Sequence, residues 1–489
     1  MPRNELPPLL RTVVALIPIG LLIGLLALCI TVFGADSILG ASQVVLLVAS
    51  GVCVALSMGL YKTPWKTFEE AIRSNISDIT TAIVILFLIG AISGTWTMSG
   101  IVPTFICYGV RIISPRFFLV TACLISAVVS VTIGSSWTTI ATIGVALLGI
   151  GRAEGFSDGL IAGAIISGAY FGDKISPLSD TTVMASSVNG VPIFDHIRYM
   201  FITTVPSILI TLILFTIIGL SHDSGDPGQI RIYTDALEGT FRITPWLLVV
   251  PLLTGWMIAR RMPALVVLFL STLLAAGAAL LFQPGVIHGI GAAVTGGSEG
   301  RILFSGIVKT LYDTVSVDTG YAQVNDLVTS RGMTGMLNTV YLIICAMCFG
   351  GCMKASGMLD HLGSLLMPLT RSRTGLVATT VASGTVLNGI VSDQYLSIIL
   401  TSHLFQDRYA RQGYEGRLLS RSVEDSATVT SPLFPWSSCG MTQATILSVP
   451  TLTYLPFCFF NLISPLMSIL IAALGYRILH TRPSHESVD

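Results

Sequence analysis

The chain has 489 residues, of which 52% are hydrophobic and only 11% are charged. A water-soluble protein of this length would need far more surface charge, and apolar runs of about 20 residues, each long enough to span a bilayer core, recur along the chain. Lys plus Arg and Asp plus Glu balance at 26 each, so no polybasic surface for nucleic acid is indicated. The composition predicts an all-α polytopic membrane protein.

The first half of the chain is predicted to hold five membrane crossings and one hairpin that enters and returns. The N-terminal MPRNELPPLLR leads into apolar sequence without a small-residue cleavage site, which favours an uncleaved first helix. The two hairpin arms, 117–133 and 138–150, meet at GSSW and are each too short to cross comfortably. The predicted crossings are 12–33, 41–61, 78–98, a broken span at 160–186, and 197–220.

The second half repeats this order after an external linker at 221–243. Its hairpin has arms at 376–391 and 395–405, which meet at SDQ. Residues 283–336 are surplus to the pattern and are expected to form an external insertion, whereas 478–489 form a cytoplasmic tail. The predicted crossings are 244–260, 262–282, 337–357, a broken span at 421–449, and 452–477.

Three pairs of similar segments support an internal repeat. SGTWTMSGI resembles GGCMKASGM 257 residues later, ISPL resembles TSPL 255 residues later, and a glycine at each hairpin tip recurs at the same offset of 255. An odd number of crossings per repeat means that the second repeat should be inverted relative to the first. We therefore predict two inverted repeats, 1–220 and 244–477, each with five crossings, a re-entrant hairpin and a broken helix.

The distribution of charge between loops indicates the orientation. With the N-terminus in the cytoplasm, the inside loops carry most of the arginines, including four between 408 and 421, while four acidic residues fall in the external linker. This agrees with the positive-inside rule and places the C-terminus in the cytoplasm as well.

Polar residues concentrate at the two helix breaks and the two hairpin tips. The breaks lie near 172–182 and 424–437, and the tips near 134–137 and 389–394. Proline in each break frees backbone carbonyls, and carbonyl, carboxylate and hydroxyl oxygens are the ligands that hard cations prefer. Paired interruptions in inverted repeats are typical of a transporter's binding site. The predicted cation- and proton-binding residues are Asp180, Asp393, Asp425, Glu424, Ser176, Thr181, Ser431 and Ser136.

Individual roles follow from each residue's neighbours in the sequence. Asp180 has no adjacent partner and Asp393 lies at a hairpin tip, so these two are the expected Na+ ligands. Lys174 is expected to neutralise Asp173 and to hold the first break rigid as a structural charge pair. The hydroxyl residues have a plainer interpretation, because serine and threonine in helices often bond the carbonyl of residue i−4.

Glu424 and Asp425 are adjacent and therefore point to different helix faces. One of them is expected to face the site, and the other to cap the helix or to meet Arg421. The sequence leaves open which of the two does which.

Four motifs, in order along nearly the whole chain, carry a family resemblance: GSSWTTIATIGVALLGIG, GDKISPLSDTT, SDQYLSI and EDSATVTSPLFPW. The sequence resembles NhaC-type sodium/proton antiporters of the ion transporter superfamily. It departs at Val183, Ala427 and Ser437, where that family usually has Asn, Gly and Asn. The resemblance implies a protein of the bacterial inner membrane that exchanges Na+, or Li+, for H+, without a cofactor. It also implies a dimerising scaffold and a moving transport domain.

Two other functions share this fold or its motifs. An exchanger of malate or lactate coupled to the same ions would need cationic partners for its substrate, and carboxylates outnumber amines here, which favours a bare cation. A channel is less consistent with a closed, charged site at the midplane.

Enzymatic activity is not expected, because neither HExxH nor a nucleophile elbow is present. We predict alternating access, with buried carboxylates that bind cation and proton competitively.

Overall fold

The computed structural model describes residues 7–33, 40–78, 80–177, 179–221, 227–260, 262–321, 324–325, 328–365 and 370–480. Within these ranges the structure is built almost entirely from helices. Seven of the described helices are long and apolar enough to cross a membrane, or up to ten if each bent pair is one span. The predicted all-α polytopic class is confirmed.

The first half contains eleven of the numbered α-helices. They are α1 (Pro8–Phe33), α2 (Ala41–Leu56), α3 (Trp65–Asp78), α4 (Thr80–Met98), α5 (Ile101–Ile112), α6 (Phe118–Ile133), α7 (Ser136–Thr139), α8 (Val145–Ala153), α9 (Asp158–Ile175), α10 (Asp180–Val188) and α11 (Ile193–Leu220). A π-turn, Ser57–Tyr61, extends α2, and another, Ile140–Gly144, joins α7 to α8.

The second half follows with α12 (Pro227–Thr240), α13 (Val249–Ala259), α14 (Ala264–Phe282), α15 (Pro284–Ala292), α16 (Glu299–Tyr312), α17 (Leu337–Ala355), α18 (Met358–Leu365), α19 (Arg373–Val391), α20 (Gln394–Arg411), α21 (Gly416–Val423), α22 (Ser438–Leu447), α23 (Thr451–Tyr454) and α24 (Phe459–Leu474). A π-turn, Glu424–Thr428, extends α21 into the second break. Short 3₁₀ turns lie at 115–117, 245–248, 334–336, 431–433 and 455–457.

Sequence-similar segments of the two halves adopt the same local structure. α4 ends before Ser99-Gly100, where Gly100 has φ 81°, and the chain bends by 65° into α5. α17 ends before Ser356-Gly357, where Gly357 has φ 67°, and α18 follows. Glycine enters this left-handed region without steric strain, which is why the Ser-Gly pair recurs at both turns.

The two hairpin tips are built alike. α6 ends at Gly134, with φ 74°, and the side chain of Ser135 caps α7 by accepting a hydrogen bond from the Thr138 N–H at 3.3 Å. α19 ends at Ser392, with φ 62°, and Asp393 caps α20. α6, with the turn before it, and α19 each satisfy the length and apolarity of a full span, so the expectation that every hairpin arm is too short is wrong for these two arms.

The third long helix of each half packs against the second helix of the other half. α4 packs on α14, and α17 packs on α2. The helices that connect these elements also pack against the opposite half: α16 packs on α4, and α3 packs on α17. The segment 283–336, which is surplus to the repeat in the sequence pattern, thus supplies in α16 a counterpart of α3.

α3 lies where a cytoplasmic loop was expected. Phe68 and Asn75, seven residues apart, are buried on one face of this helix. Its opposite face carries two exposed i,i+4 ion pairs, Arg73 with Glu69 at 3.0 Å and Lys66 with Glu70 at 3.9 Å. This distribution is typical of an amphipathic helix that lies against a larger body.

α9 positions the first break through close backbone packing on α6. A Cβ on Gly168 would lie 2.0 Å from the carbonyl oxygen of Cys123, and one on Gly172 would lie 2.4 Å from that of Ala127. Small residues allow helices in a membrane to approach closely, so α9 is buried along nearly its whole length. Asp173 and Lys174 therefore end a rigid helix in the centre of the protein.

Candidate ion-binding site

A cavity of about 1010 Å³ lies between both hairpin tips and the first helix break. Three carboxylates line it: Asp173 at the end of α9, Asp180 at the start of α10, and Asp393 at the second tip. Its described lining includes no lysine, arginine or histidine. Hydroxyls of Ser135, Thr138, Ser179 and Thr181 and the rings of Trp137 and Tyr395 complete this polar wall.

Asp180 is the first residue of α10, just after the break that Pro177 introduces. The Ser179 hydroxyl caps the helix by accepting a hydrogen bond from the Thr182 N–H at 3.5 Å. A carboxylate in the first turn is stabilised by the helix dipole. The side chain of Asp180 is exposed to the cavity rather than buried, which differs from the sequence-based expectation.

Asp173 is almost completely buried, with 4% of its surface exposed. Its Oδ2 accepts hydrogen bonds from the Ser136 N–H at 3.1 Å and from the Ser136 hydroxyl at 2.7 Å. The predicted site residue Ser136 thus ties the first hairpin tip to the first break. Two donors on one carboxylate oxygen fix the orientation of the acid.

Asp393 connects the second tip to the second break. Its Oδ1 accepts the Leu396 N–H at 3.0 Å, and its Oδ2 accepts the Ser438 hydroxyl at 3.3 Å. The Ser438 N–H also donates to the carbonyl of Ser392 at 2.8 Å. Asp393 lines the cavity as predicted and has 3% of its surface exposed.

Asp425 lies outside the cavity and binds Lys174. Both side chains are fully buried, and Lys174 Nζ donates to Asp425 Oδ1. The same carboxylate oxygen accepts hydrogen bonds from the Thr203 hydroxyl at 3.1 Å and the Ser464 hydroxyl at 3.0 Å. Lys174 therefore pairs with Asp425 and not with Asp173, its neighbour in the sequence and its expected partner. The resulting ion pair joins the first break to the second.

Glu424 and Arg421 are also fully buried, and both lie outside the cavity. The Arg421 guanidinium lies 4.6 Å over the ring of Tyr199, and its Nε is 4.0 Å from Asp425 Oδ2. Within the described part of the chain, no guanidinium nitrogen of Arg421 and no carboxylate oxygen of Glu424 has a hydrogen-bond partner. Asp425 is therefore the acid that faces Arg421, one of the alternatives that the sequence left open.

The remaining predicted hydroxyls brace the breaks against the hairpins. Ser176 donates to the carbonyl of Val131 on α6 at 2.7 Å. Ser431 donates to the Thr428 carbonyl at 2.7 Å and to the Gln394 side-chain oxygen at 3.2 Å. Thr181 is the one of these three residues that lines the cavity, where its hydroxyl lies 2.9 Å from that of Ser179.

Sequence reasoning did not single out Thr203, Tyr199 and Ser464 of the Asp425 cluster, or Trp137 and Tyr395 of the cavity. Thr203 and Ser464 are polar residues inside long apolar helices, and that position is itself a signal of function. The two aromatic residues gave no comparable signal, because a ring beside a hairpin tip is equally typical of packing.

The three cavity carboxylates do not form a compact cluster in this conformation. Among the residues that the structure describes, no group of three His, Cys, Asp or Glu side chains is close enough to hold a metal ion. The cavity instead presents two acids at the helix ends that flank the first break and one acid at the second hairpin tip. Movement of these elements relative to one another would change the distances between the acids.

An all-helical membrane fold with an acid-lined cavity at a helix break defines a polytopic membrane transport protein. The sequence profile of the Na+/H+ antiporter family matches residues 7–191 and 168–476. The chain belongs to that family, which confirms the resemblance to NhaC-type antiporters.

Three relatives show the range of cargoes named for similar proteins. The chain is 38% identical to the Na(+)/H(+) antiporter NhaC of Alkalihalophilus pseudofirmus, over 86% of this chain and 88% of that protein. It is 34% identical to the malate-2H(+)/Na(+)-lactate antiporter of Bacillus subtilis, over 86% of each. It is 32% identical to the arginine/ornithine antiporter ArcD of Halobacterium salinarum, over 97% of this chain and 95% of that protein.

Proposed function

We propose that this protein exchanges Na+, or the smaller Li+ as a substitute, for H+ across a bacterial inner membrane. The single observation that carries the proposal is the cavity lined by Asp173, Asp180 and Asp393 without a basic side chain among its described residues. Three carboxylates with neighbouring hydroxyls offer oxygen ligands to a hard cation. Family membership and the NhaC relatives support the same cargo.

The cation reaches the site through the open part of the cavity and loses water in stages. Asp180, which is exposed, is the first acid on this route, whereas Asp173 and Asp393 lie deeper. Hydroxyl oxygens of Ser135, Ser179 and Thr181 lie on the same wall and can replace water around the ion. A proton that neutralises any of these acids weakens cation binding, so exchange follows from competition between the two ions.

Alternating access requires that the site opens to one side at a time. The cavity walls include Thr81, Ser187 and Met262, which lie at helix ends predicted to be cytoplasmic. If both termini lie in the cytoplasm, as the loop charges predict, this arrangement corresponds to the inward-open state of the cycle. In the outward step Na+ leaves to the exterior, and protons return down their gradient.

Exchange of an organic acid is the alternative on this fold, as the name of the malate and lactate relative indicates. A carboxylate substrate needs a cation or a helix N-terminus as its partner. The cavity has no basic residue among its described lining, and the two buried cations, Lys174 and Arg421, lie outside it. These observations favour the bare cation.

We also propose that the protein forms a homodimer, as the family resemblance implies.

Reconstitution in proteoliposomes tests both cargoes. Na+ alone should drive H+ movement in the wild type, and the Asp173→Asn and Asp393→Asn variants should lose it. Asp158→Asn is the matched control, because Asp158 pairs with Arg152 outside the cavity and should leave exchange unchanged. Exchange that occurs only with malate or lactate would overturn the cargo, and full activity of both cavity variants would overturn the site.

A further inference from the structure

One buried acid of the second break has no part in the cavity. Glu424 is fully buried in the π-turn Glu424–Thr428 and is absent from the cavity wall. Neither of its carboxylate oxygens has a hydrogen-bond partner among the described residues. Buried polar groups in native proteins are nearly always satisfied, so an exception of this kind indicates a functional group or an occupant of the site.

The cations nearest to Glu424 are committed to other groups. Lys174 binds Asp425 Oδ1 and the Ser464 hydroxyl. Arg421 lies over the Tyr199 ring and has its 4.0 Å contact with Asp425. No described cation lies within 4.0 Å of the Glu424 carboxylate. Burial without an ion pair is costly for an ionised carboxylate, and an acid that holds its proton avoids that cost.

The groups around Glu424 connect it to the cavity. Thr181 and Thr428 are its hydroxyl neighbours, and Asp173 and Lys174 are the charges that act on it from α9. α10, which carries Thr181, packs directly against the π-turn. α19, α20 and α24 also pack there, and none of them forms an ion pair with Glu424 among the described contacts. Thr181 is therefore the hydroxyl that lies between Glu424 and the cavity wall.

We propose that Glu424 carries the exchanged proton, at a site separate from the cavity carboxylates that bind the cation. The inference rests on the proposed Na+/H+ exchange and places its proton at Glu424 instead of at the cavity carboxylates. In the step itself, a hydronium ion in the cavity gives a proton to the Thr181 hydroxyl, which releases its own proton to a carboxylate oxygen of Glu424. Each O–H bond that breaks is matched by one that forms, and a water molecule remains in the cavity. Competition between the two ions then acts through charge, since the two sites share Asp173 and Lys174 as neighbours.

The positions of Asp173, Lys174 and Asp425 couple the cation site to Glu424 electrostatically. A cation at Asp173 places positive charge one residue from Lys174, which in turn holds Asp425, the residue after Glu424. Positive charge at the cavity therefore favours loss of the proton from Glu424, and return of the proton favours release of the cation. Separate sites with this coupling give exchange without requiring both ions to bind the same atoms.

Two assays on Glu424→Gln distinguish this proposal from a shared site. Glutamine keeps the volume and cannot lose a proton. We expect the variant to keep radiolabelled Na+/Na+ exchange at equal pH on both sides, and to lose Na+-driven H+ movement. Asp393→Asn is the reference variant and should lose both activities. The wild type is assayed first, and if it shows no Na+-driven H+ movement, the proposed function fails independently of Glu424.

Two outcomes would overturn the inference. H+ movement at the wild-type level in Glu424→Gln would show that the proton binds elsewhere. Loss of both activities, in a variant with the melting temperature of the wild type, would place Glu424 in the cation site itself. If Glu424→Gln does not fold, Glu424→Asp decides the matter: it should keep exchange with a displaced pH profile, and an unchanged profile would contradict the role.

Discussion

Adjacent residues on a helix point about 100° apart, and this separates the roles of Asp173 and Lys174. Asp173 faces the first hairpin tip, where Ser136 donates two hydrogen bonds to it. Lys174 faces the second break and binds Asp425. The same geometry separates Glu424 from Asp425, which are also adjacent. Adjacency in the sequence suggested that Lys174 pairs with Asp173. Its partner in the structure is Asp425, 251 residues away, and no local pattern reveals such a contact.

Removal of one partner of the buried pair should destabilise the protein strongly. Lys174→Met leaves Asp425 with Arg421 at 4.0 Å as its nearest described cation, and breaking a buried ion pair in this way costs about 3–5 kcal/mol. The double variant Lys174→Met, Asp425→Asn should recover much of that loss, because the uncompensated charge is gone. Thermal unfolding in detergent checks the prediction. Additive losses in the double variant would show that the two side chains are not coupled.

Ser136 should tune the affinity of the cation site without being a ligand. Ser136→Ala removes the 2.7 Å hydrogen bond from the hydroxyl to Asp173 and keeps the backbone donor. Loss of a hydrogen bond to a charged group is worth about 1.5–3 kcal/mol, so we expect the apparent Na+ affinity of exchange to change by roughly tenfold or more. Thr132→Val is the control, because its hydroxyl bonds the Val128 carbonyl on the exposed side of α6. Equal effects of the two variants would contradict the role of Ser136.

Among the elements, those with a local signature were predictable from the sequence. The hairpin tips and the breaks carry glycine, proline and capping residues, and the structure has helix ends at both. α3 was not predicted, because its buried face contacts α17, which is 272 residues away at the Asn75 contact. The span-like lengths of α6 and α19 show that composition does not determine whether a hairpin arm returns or crosses.

The contact between α6 and α9 gives a prediction at the scale of helix packing. Gly168→Ala would place a Cβ 2.0 Å from the Cys123 carbonyl oxygen, so the two helices must separate and the first break must move. Gly24→Ala on α1 is the matched control, because a Cβ there has no atom within 4 Å. Alanine is about 1 kcal/mol more favourable than glycine in a helix, so the control should be neutral or stabilising.

Thermal unfolding and Na+-driven exchange, measured on both glycine variants, test this packing. We expect Gly168→Ala to lower the melting temperature and to impair exchange. If it behaves like Gly24→Ala, the close approach of α6 and α9 is not required for the site.

The exchange of partners between halves determines how the whole molecule is held together. α4 packs on α14 and α17 packs on α2, so neither half completes its own packing. The repeated Ser-Gly turns and hairpin caps made the repeat visible in the sequence, whereas the contacts between halves depend on side chains far apart in the chain. The inverted orientation and the domain boundaries remain predictions, because they depend on which face of the membrane each loop occupies.

The direction in which the cavity opens is a testable property of the whole molecule. Val188 lines the cavity near the end of α10, and Glu238 pairs with Arg111 at 2.5 Å on the face predicted to be external. With the native cysteines replaced, Val188→Cys should react with a membrane-impermeant thiol reagent from the cytoplasmic side, because water reaches this wall through the open cavity. Glu238→Cys should react from the opposite side. Na+ should slow the labelling of Val188→Cys, since a bound cation draws the cavity acids together, and labelling from outside alone would reverse both the topology and the assigned state.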